Sequence, residues 1–536
     1  MRLISRWMFF AQVPVARPAL SLVPLPAEVF QDPGVFTLDK DSRIAAGREL
    51  APIGEKLARF LRPATGFSLP VGRGGRHSIY LHLDAKLTGL SPEGYRLQVT
   101  PERVDLYAGN PAGLFYGFQT IRELLPTDIF RAAAVPQEAW TMPAVRIVDR
   151  PRFAWRGAHI DVSRHFEQKS FVEKFLDEMA LHKLNVFHWH LVDDNGWRME
   201  IKKYPLLTSV GSTMDFTSMN PREGTRSRSE LPGGFYTQAD IKEVVAYAAD
   251  RYITVLPEIE IPGHSAAAVK AYPQLGNFSE IVQGGGDVSH LGLDNVYNVD
   301  DSTIRFLEDV LDETMALFPS KYIHCGGDEV NKRPWSMNPV AQAKIKEFGL
   351  KDEDQLQSWV IGQMDAYLTS KGRHLIGWDE ILEGGLAPGA AVMSWRGVQG
   401  GITAAKSGHD VVMAPTDFTY FDYYQGKDPS KEPAPTGDYL PLRAVYGYDP
   451  IAAELTPDQA KHVLGVQGQL WSEYIPGTKH MEYQGFPRLC ALAEIAWSPV
   501  GNRSYAEFLT RLQPHLARLK TMDVDYRELT PDDLAP

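Results

Sequence analysis

The segment Tyr322-Ile-His-Cys-Gly-Gly-Asp-Glu329 runs a β-rich apolar stretch into two glycines and then two adjacent carboxylates. Neighbouring side chains on an extended chain point to opposite faces. For Asp328 and Glu329 to act on one bond the chain must kink, which glycine permits. Read locally, the pair could equally cap the next helix. Similar groups, however, close other β-rich runs: Asp161, Asp193-Asp194, Glu258 with Glu260 and His264, and Trp378-Asp379-Glu380. Trp395-Arg396, Tyr420 with Asp422, and Trp471 with Glu473 continue the series. Gathering so many charges has a cost that structure alone does not justify. Carboxylates grip hydroxyls and move protons, while indoles make flat apolar walls, so the combination points to a sugar site. Glycosidases usually bring two carboxyl groups to opposite sides of the scissile bond. An adjacent pair instead suggests one acid and one helper, with the nucleophile supplied by the substrate.

Such a site needs elements that end at one rim. After Pro151 the chain alternates short apolar runs with amphipathic segments. The runs are 157–161, 185–191, 253–259, 322–326, 374–378, 391–395, 410–414 and 463–470, eight in all. Helix-like stretches at 171–182, 240–249, 304–318 and 356–370 lie between them, and another at 485–496 closes the series. Strands buried on both faces need not alternate in polarity, so the pattern predicts an α/β fold, a (β/α)8 TIM barrel. A doubly wound sheet would place a glycine-rich loop after its first strand, but Asp161-Val-Ser-Arg-His165 has no glycine. Three long connections, 208–235, 272–300 and 417–455, follow strands and should wall the mouth.

Before the barrel, strands are expected at 78–83, 95–99 and 104–107, with a helix at 114–125. These make a small α+β accessory domain over 20–150, joined by a linker at 132–143. The barrel then occupies 151–500, and 501–536 is a helical tail packed on it. Residues 1–19 resemble a degraded signal peptide, with Arg2 and Arg6 before a short apolar stretch that Gln12, Pro14 and Arg17 interrupt. Export is therefore one of two readings for a soluble protein.

The chain has 536 residues, 44% hydrophobic and 23% charged, which describes a globular protein rather than a disordered one. Its net charge of −12 argues against a nucleic-acid-binding surface. No apolar run is long enough to span a membrane. Cys325 and Cys490 are too few for a disulfide framework, lack a CxxC spacing and read as buried thiols.

Over roughly residues 20–500 the chain resembles glycoside hydrolase family 20, the β-N-acetylhexosaminidases. The resemblance lies in Arg156-Gly-Ala-His-Ile-Asp161 with Ser163-Arg-His165, and in Lys183-Leu-Asn-Val-Phe-His-Trp-His-Leu-Val-Asp-Asp194 with Gly196-Trp-Arg198. It continues through Pro257-Glu-Ile-Glu-Ile-Pro-Gly-His264, His324-Cys-Gly-Gly-Asp-Glu329, Gly377-Trp-Asp-Glu380, Ser394-Trp-Arg-Gly397, Tyr420-Phe-Asp422 and Gly468-Gln-Leu-Trp-Ser-Glu473.

The resemblance implies exo-acting, retaining, substrate-assisted hydrolysis of terminal N-acetylhexosamine. Glu329 would be the acid and later the base. Asp328 would orient the acetamido group, and Tyr420 would bond its oxygen. Trp378, Trp395 and Trp471 would wall the sugar. Arg156 would bridge the 3- and 4-hydroxyls, Glu473 would hold the 4-hydroxyl and Asp422 the 6-hydroxyl. Asp193 and His264 would form a pair that positions Glu329. No cofactor or metal is implied. The partner is a glycan with terminal N-acetylhexosamine, and a homo-oligomer is compatible with the sequence. Where the family often has Asp, this chain has Glu260, and the resemblance gives that residue no role.

The same residues admit two rival readings. His188-Trp-His190, with His264, His324 and nearby aspartates, also suits a metal-dependent hydrolase barrel. These histidines precede the strand end, however, where they read as packed supporting groups. A non-catalytic sugar-binding barrel would typically have lost the acid, whereas Asp328 and Glu329 are both present. Arg222, Arg226 and Arg228 read as a solvated loop face.

Overall fold

The computed structural model describes residues 20–87, 89–136, 139–213, 233–278, 295–433 and 437–534. Arg222, Arg226, Arg228 and the 1–19 segment lie outside them.

The first layer is a seven-stranded mixed sheet. In spatial order its strands are Glu28–Leu38, Trp140–Asp149, Tyr95–Val99, Val104–Ala108, Ile79–Leu83, Ile44–Ala45 and Val71–Gly72. Helices Ala51–Thr65 and Pro111–Leu124 pack against it. The first has proline in its opening turn and ends at Gly66 in the left-handed region, φ 68°, the usual asymmetry of helix ends. Residues 132–143, expected to be a linker, are only partly one. Their last four residues begin the strand Trp140–Asp149, which lies between two neighbours and alternates buried and half-buried positions over Trp140–Ala144.

The second layer is a closed barrel of eight parallel strands: β1 (Trp155–Asp161), β2 (Val186–His190), β3 (Thr254–Glu258), β4 (Tyr322–His324), β5 (His374–Trp378), β6 (Ala391–Ser394), β7 (Val411–Met413) and β8 (Val463–Gly468). β8 pairs with β1 and closes the ring. All eight fall within the apolar runs read from the sequence or overlap them. β1 and β2 are buried at every position, which is why they lack alternation. Trp155, Leu256, Ile376, Met393, Val412, Trp378 and Trp471 fill the lumen as a cluster of their own.

The last barrel segment is two helices, Thr478–Gly485 and Arg488–Trp497, rather than one over 485–496. Pro487 has no N–H to continue the first helix, so the chain turns there. The C-terminal helix Tyr505–Thr521 bridges both layers. Arg511 pairs with Glu494 of the last barrel helix at 2.6 Å and donates to the carbonyl of Leu22 at 2.7 Å. Among the described residues, no helix is long and apolar enough to cross a membrane.

Candidate active site

The carboxylate pair sits just beyond β4, where the backbone turns sharply. Gly326 and Gly327 have φ of 63° and 98°, and Glu329 itself has φ 44°. The turn is held from three sides. Gly326 N donates to His324 Nδ1 at 3.1 Å, its carbonyl accepts from Trp378 N at 2.9 Å, and Gln357 Nε2 donates to the Gly327 carbonyl at 2.6 Å. A left-handed, non-glycine residue at a site of chemistry is strain that the surroundings must enforce. The two side chains are exposed unequally, Asp328 at 12% and Glu329 at 63%. Asp328 thus faces a dry wall, while Glu329 reaches into the opening. Asp328 Oδ1 is buried and has no hydrogen-bond partner among the described residues, as expected of a group built to meet a ligand.

His264, on the loop after β3, touches both carboxylates. Its Nε2 is 3.5 Å from Asp328 and 3.8 Å from Glu329, and its Nδ1 is 3.4 Å from Asp193 and 3.2 Å from Asp194. Burial opposes a charge on this imidazole, but Asp193 and Asp328 outweigh it and hold its pKa well above the usual histidine range.

A run of aromatic rings lines the other side. Trp378 and Trp471 have centroids 5.7 Å apart, Trp471 and Tyr420 6.3 Å, and Tyr420 and Trp395 6.0 Å with nearly parallel planes. Two of the three indoles are fixed from behind. Trp378 Nε1 donates to Glu258 and Trp395 Nε1 to Glu380, both at 2.8 Å. Asp379 accepts from the backbone N–H groups of Trp395 and Arg396 at 2.9 and 3.1 Å and so sets the end of β6. Burial, aided by nearby Asp328, raises Glu380 to about 8.

Asp422 is buried two residues beyond Tyr420, where Arg488 donates to the carbonyls of Phe421 and Tyr423 on either side of it. Glu473, beyond β8, lies 3.4 Å from Arg164, and its Oε2 is buried with no hydrogen-bond partner among the described residues. Burial raises the Glu473 carboxyl, with Arg164 pulling the other way.

The structure corrects one expected site residue. Arg156 is the second residue of β1, and five residues of strand, roughly 16 Å, separate it from Asp161 at the mouth. Its guanidinium is fully buried at the barrel floor. There it bonds Glu93 at 2.7 and 2.9 Å and the carbonyls of Lys183 and Phe153, over the rings of Tyr116 and Trp497. The arginine at the mouth is Arg164. It contacts Asp193 at 2.8 Å, Asp161 at 3.1 Å and Glu473 at 3.4 Å, with Trp471 under its guanidinium. A position three residues past a strand's C-terminal end was the available signal for Arg164.

A second group, named at a strand end in the sequence but given no role there, is Glu258. Its carboxylate is fully buried, accepts from Trp378 Nε1 and bonds His190 Nδ1, and has His188 Nε2 at 3.0 Å and His324 Nδ1 at 2.8 Å. Burial would raise it, but the three imidazoles hold it well below the usual carboxylate range. His190 also meets Asp193 at 3.0 Å, and despite burial Glu258 and Asp193 lift it to about 10. Of the histidines that invited a metal reading, His188, His190 and His324 thus lie below the mouth, each with a ring nitrogen within 3.0 Å of Glu258, and His264 stands at the mouth itself. The clusters His188–Glu258–His324 and His159–His190–Glu258 have donor atoms close enough for an ion, but the Glu258 oxygens already accept from protein groups.

Glu260 lies fully buried behind the turn, with neither carboxylate oxygen hydrogen-bonded among the described residues. Burial, with Asp328 and Glu258 nearby, pushes its pKa well above the ordinary value.

Residues 153–500 match the family described as glycosyl hydrolase family 20, catalytic domain, and residues 19–150 match its domain 2. The chain belongs to glycosyl hydrolase family 20. It is a glycoside hydrolase whose relatives carry hexosaminidase names. It is 42% identical to a β-hexosaminidase of Porphyromonas gingivalis over 97% of this chain, and it spans about two thirds (66%) of that protein's length. The family 20 exo-β-N-acetylglucosaminidase of Vibrio harveyi, solved in complex with N-acetylglucosamine, superposes with a TM-score of 0.83 at 31% identity, covering 98% of this chain and 81% of that one. The family 20 β-N-acetylhexosaminidase of Streptomyces coelicolor gives 0.81 at 31% identity, with coverages of 96% and 99%. In this family 20 enzyme, Asp328, Glu329, His264, Asp193, the three indoles, Tyr420, Asp422, Glu473 and Arg164 all lie at or just beyond the strand ends. Arg156 alone of the expected residues does not.

Proposed function

We propose that the chain is an exo-acting, retaining β-N-acetylhexosaminidase that uses the substrate's own acetamido group as nucleophile. The observation that carries this reading is the adjacent pair, with Asp328 dry beside the aromatic run and Glu329 exposed in the opening.

In the first step the acetamido oxygen attacks the anomeric carbon as the glycosidic bond breaks, and Glu329 gives its proton to the leaving oxygen. Asp328 accepts the acetamido N–H and stabilises the positive charge of the oxazolinium ion. Trp378, Trp471 and Trp395 enclose the methyl group and the ring face, and Tyr420 donates to the acetamido oxygen. In the second step Glu329, now a carboxylate, takes a proton from water. That water adds to the anomeric carbon and reopens the oxazoline, restoring the acetamide with the original configuration. Arg164, which takes the part expected of Arg156, and Glu473 bind the 3- and 4-hydroxyls. Asp422 binds the 6-hydroxyl. These contacts close the site around a terminal residue.

A panel of p-nitrophenyl β-glycosides tests the proposal. The N-acetylglucosaminide and N-acetylgalactosaminide should turn over, the β-anomer should form first, and the plain β-glucoside, lacking an acetamido group, should be slower by orders of magnitude. Comparable rates on the glucoside would overturn substrate assistance.

A further inference from the structure

Away from the mouth, three helices bring donor side chains together in a dry seam. His182 follows helix Lys169–Leu181, Cys490 lies in Arg488–Trp497, and His515 lies in Tyr505–Thr521. His182 Nε2 stands 2.9 Å from His515 Nε2 and 3.3 Å from Cys490 Sγ. The three donor atoms lie within 4.8 Å of one another, and all three residues are at most 1% exposed.

The far side of each imidazole makes this more than a packed trio. His182 Nδ1 is 2.7 Å from the Glu178 carbonyl, and His515 Nδ1 is 3.2 Å from a Glu123 oxygen. Metal-binding histidines are usually held this way, the far nitrogen donating to a carbonyl or carboxylate while the near one offers its lone pair. With both protons on Nδ1, two lone pairs face each other across 2.9 Å and repel unless a positive centre lies between them. The competing arrangement moves the His515 proton to Nε2, where it bonds His182, and lets Nδ1 accept from Arg518 at 3.2 Å. Either a proton or a metal therefore occupies the seam.

We propose that His182, Cys490 and His515 form a zinc site that fastens the C-terminal helix to the barrel. Two imidazoles and one thiolate suit Zn²⁺, with the fourth position left open. Tetrahedral bonds of about 2.0–2.1 Å set two nitrogens roughly 3.3 Å apart, so the rings need to part by only a few tenths of an ångström. Coordination converts the Cys490 thiol to a thiolate and releases its proton to solvent. This site does not depend on the proposed sugar chemistry.

The test is titration of the chelator-stripped full chain with Co²⁺. One equivalent should bind with a thiolate-to-cobalt charge-transfer band that Zn²⁺ abolishes, and Zn²⁺ should raise the melting temperature by several degrees. Cys490→Ser should lose both effects, and Cys325→Ser should keep them. Absence of the band in the wild-type protein overturns the site without recourse to any variant. Binding that is unchanged in Cys490→Ser overturns it as well.

Discussion

The carboxylate of Glu260 occupies the space that a side chain on Gly326 would need: a Cβ there would come within 1.7 Å of Glu260 Oε2. Gly326 also has φ 63°. Gly326→Ala is therefore penalised twice, by the left-handed backbone and by contact with a carboxyl that is itself packed. A loss of about 2 kcal/mol or more is expected in chemical denaturation. Activity should fall further than stability, because the carboxylate turn is displaced.

Glu329→Gln keeps the shape and hydrogen-bonding reach of the side chain but cannot deliver a proton. Turnover of an N-acetylglucosaminide should fall by about 10²–10⁴-fold, with product affinity roughly preserved. Asp328→Asn should cost about 10²–10³-fold in kcat. Unchanged kcat in either variant would sink that residue's assignment.

The two arginines of β1 and its loop should separate cleanly. Arg164→Gln removes the cation set between Asp161, Asp193 and Glu473 and should raise KM as well as lower kcat. Arg156→Gln leaves Glu93 without its charged partner at the barrel floor, with Asn185 Nδ2 as the donor that remains. Breaking a buried pair typically costs about 3–5 kcal/mol, so it should lower the melting temperature while the KM of the folded fraction stays close to wild type.

Glu258 and His190 give the fold a pH signature. His190 has its folded pKa raised from 6.5 to about 10, so its stabilising contribution is fully present below about 6.5 and is lost as pH rises through 10. Thermal stability of the wild type should decline across that window. In Glu258→Gln the imidazole loses its main partner, and the alkaline decline should flatten. The same variant frees Trp378 Nε1 and should raise KM for the acetamido sugar.

Much of this architecture was legible because buried parallel strands are near-continuous apolar runs, and the barrel puts its chemistry where those runs stop. The reading weakened where local pattern and local structure part. Glu28–Leu38 carries Asp-Pro-Gly within the strand and shifts register between Gln31 and Val35, so it has the look of a turn. Ile44–Ala45 and Val71–Gly72 are two residues each, too short for any periodicity. Arg156 was misplaced because a shared motif shows which residues accompany one another and not which end of a strand they occupy. Glu258 stood at a strand end in the sequence, but its hold on three histidines and an indole depends on strands that meet only in the closed ring. His182 and Cys490 are 308 positions apart, beyond the reach of any spacing rule for metal ligands.

Arg156 and Lys183 flank the floor of the first two barrel strands, and both anions they rest on belong to the preceding layer: Glu93 at 2.7 Å and Asp149 at 2.9 Å. The strands that lift Asp161 and Asp193 to the rim therefore begin on borrowed counter-charges. Excising the first 150 residues would strand two cations in an apolar base. The barrel is not a portable module, and any hybrid enzyme built on it must carry Glu93 and Asp149 along or replace the arginine and the lysine with apolar side chains.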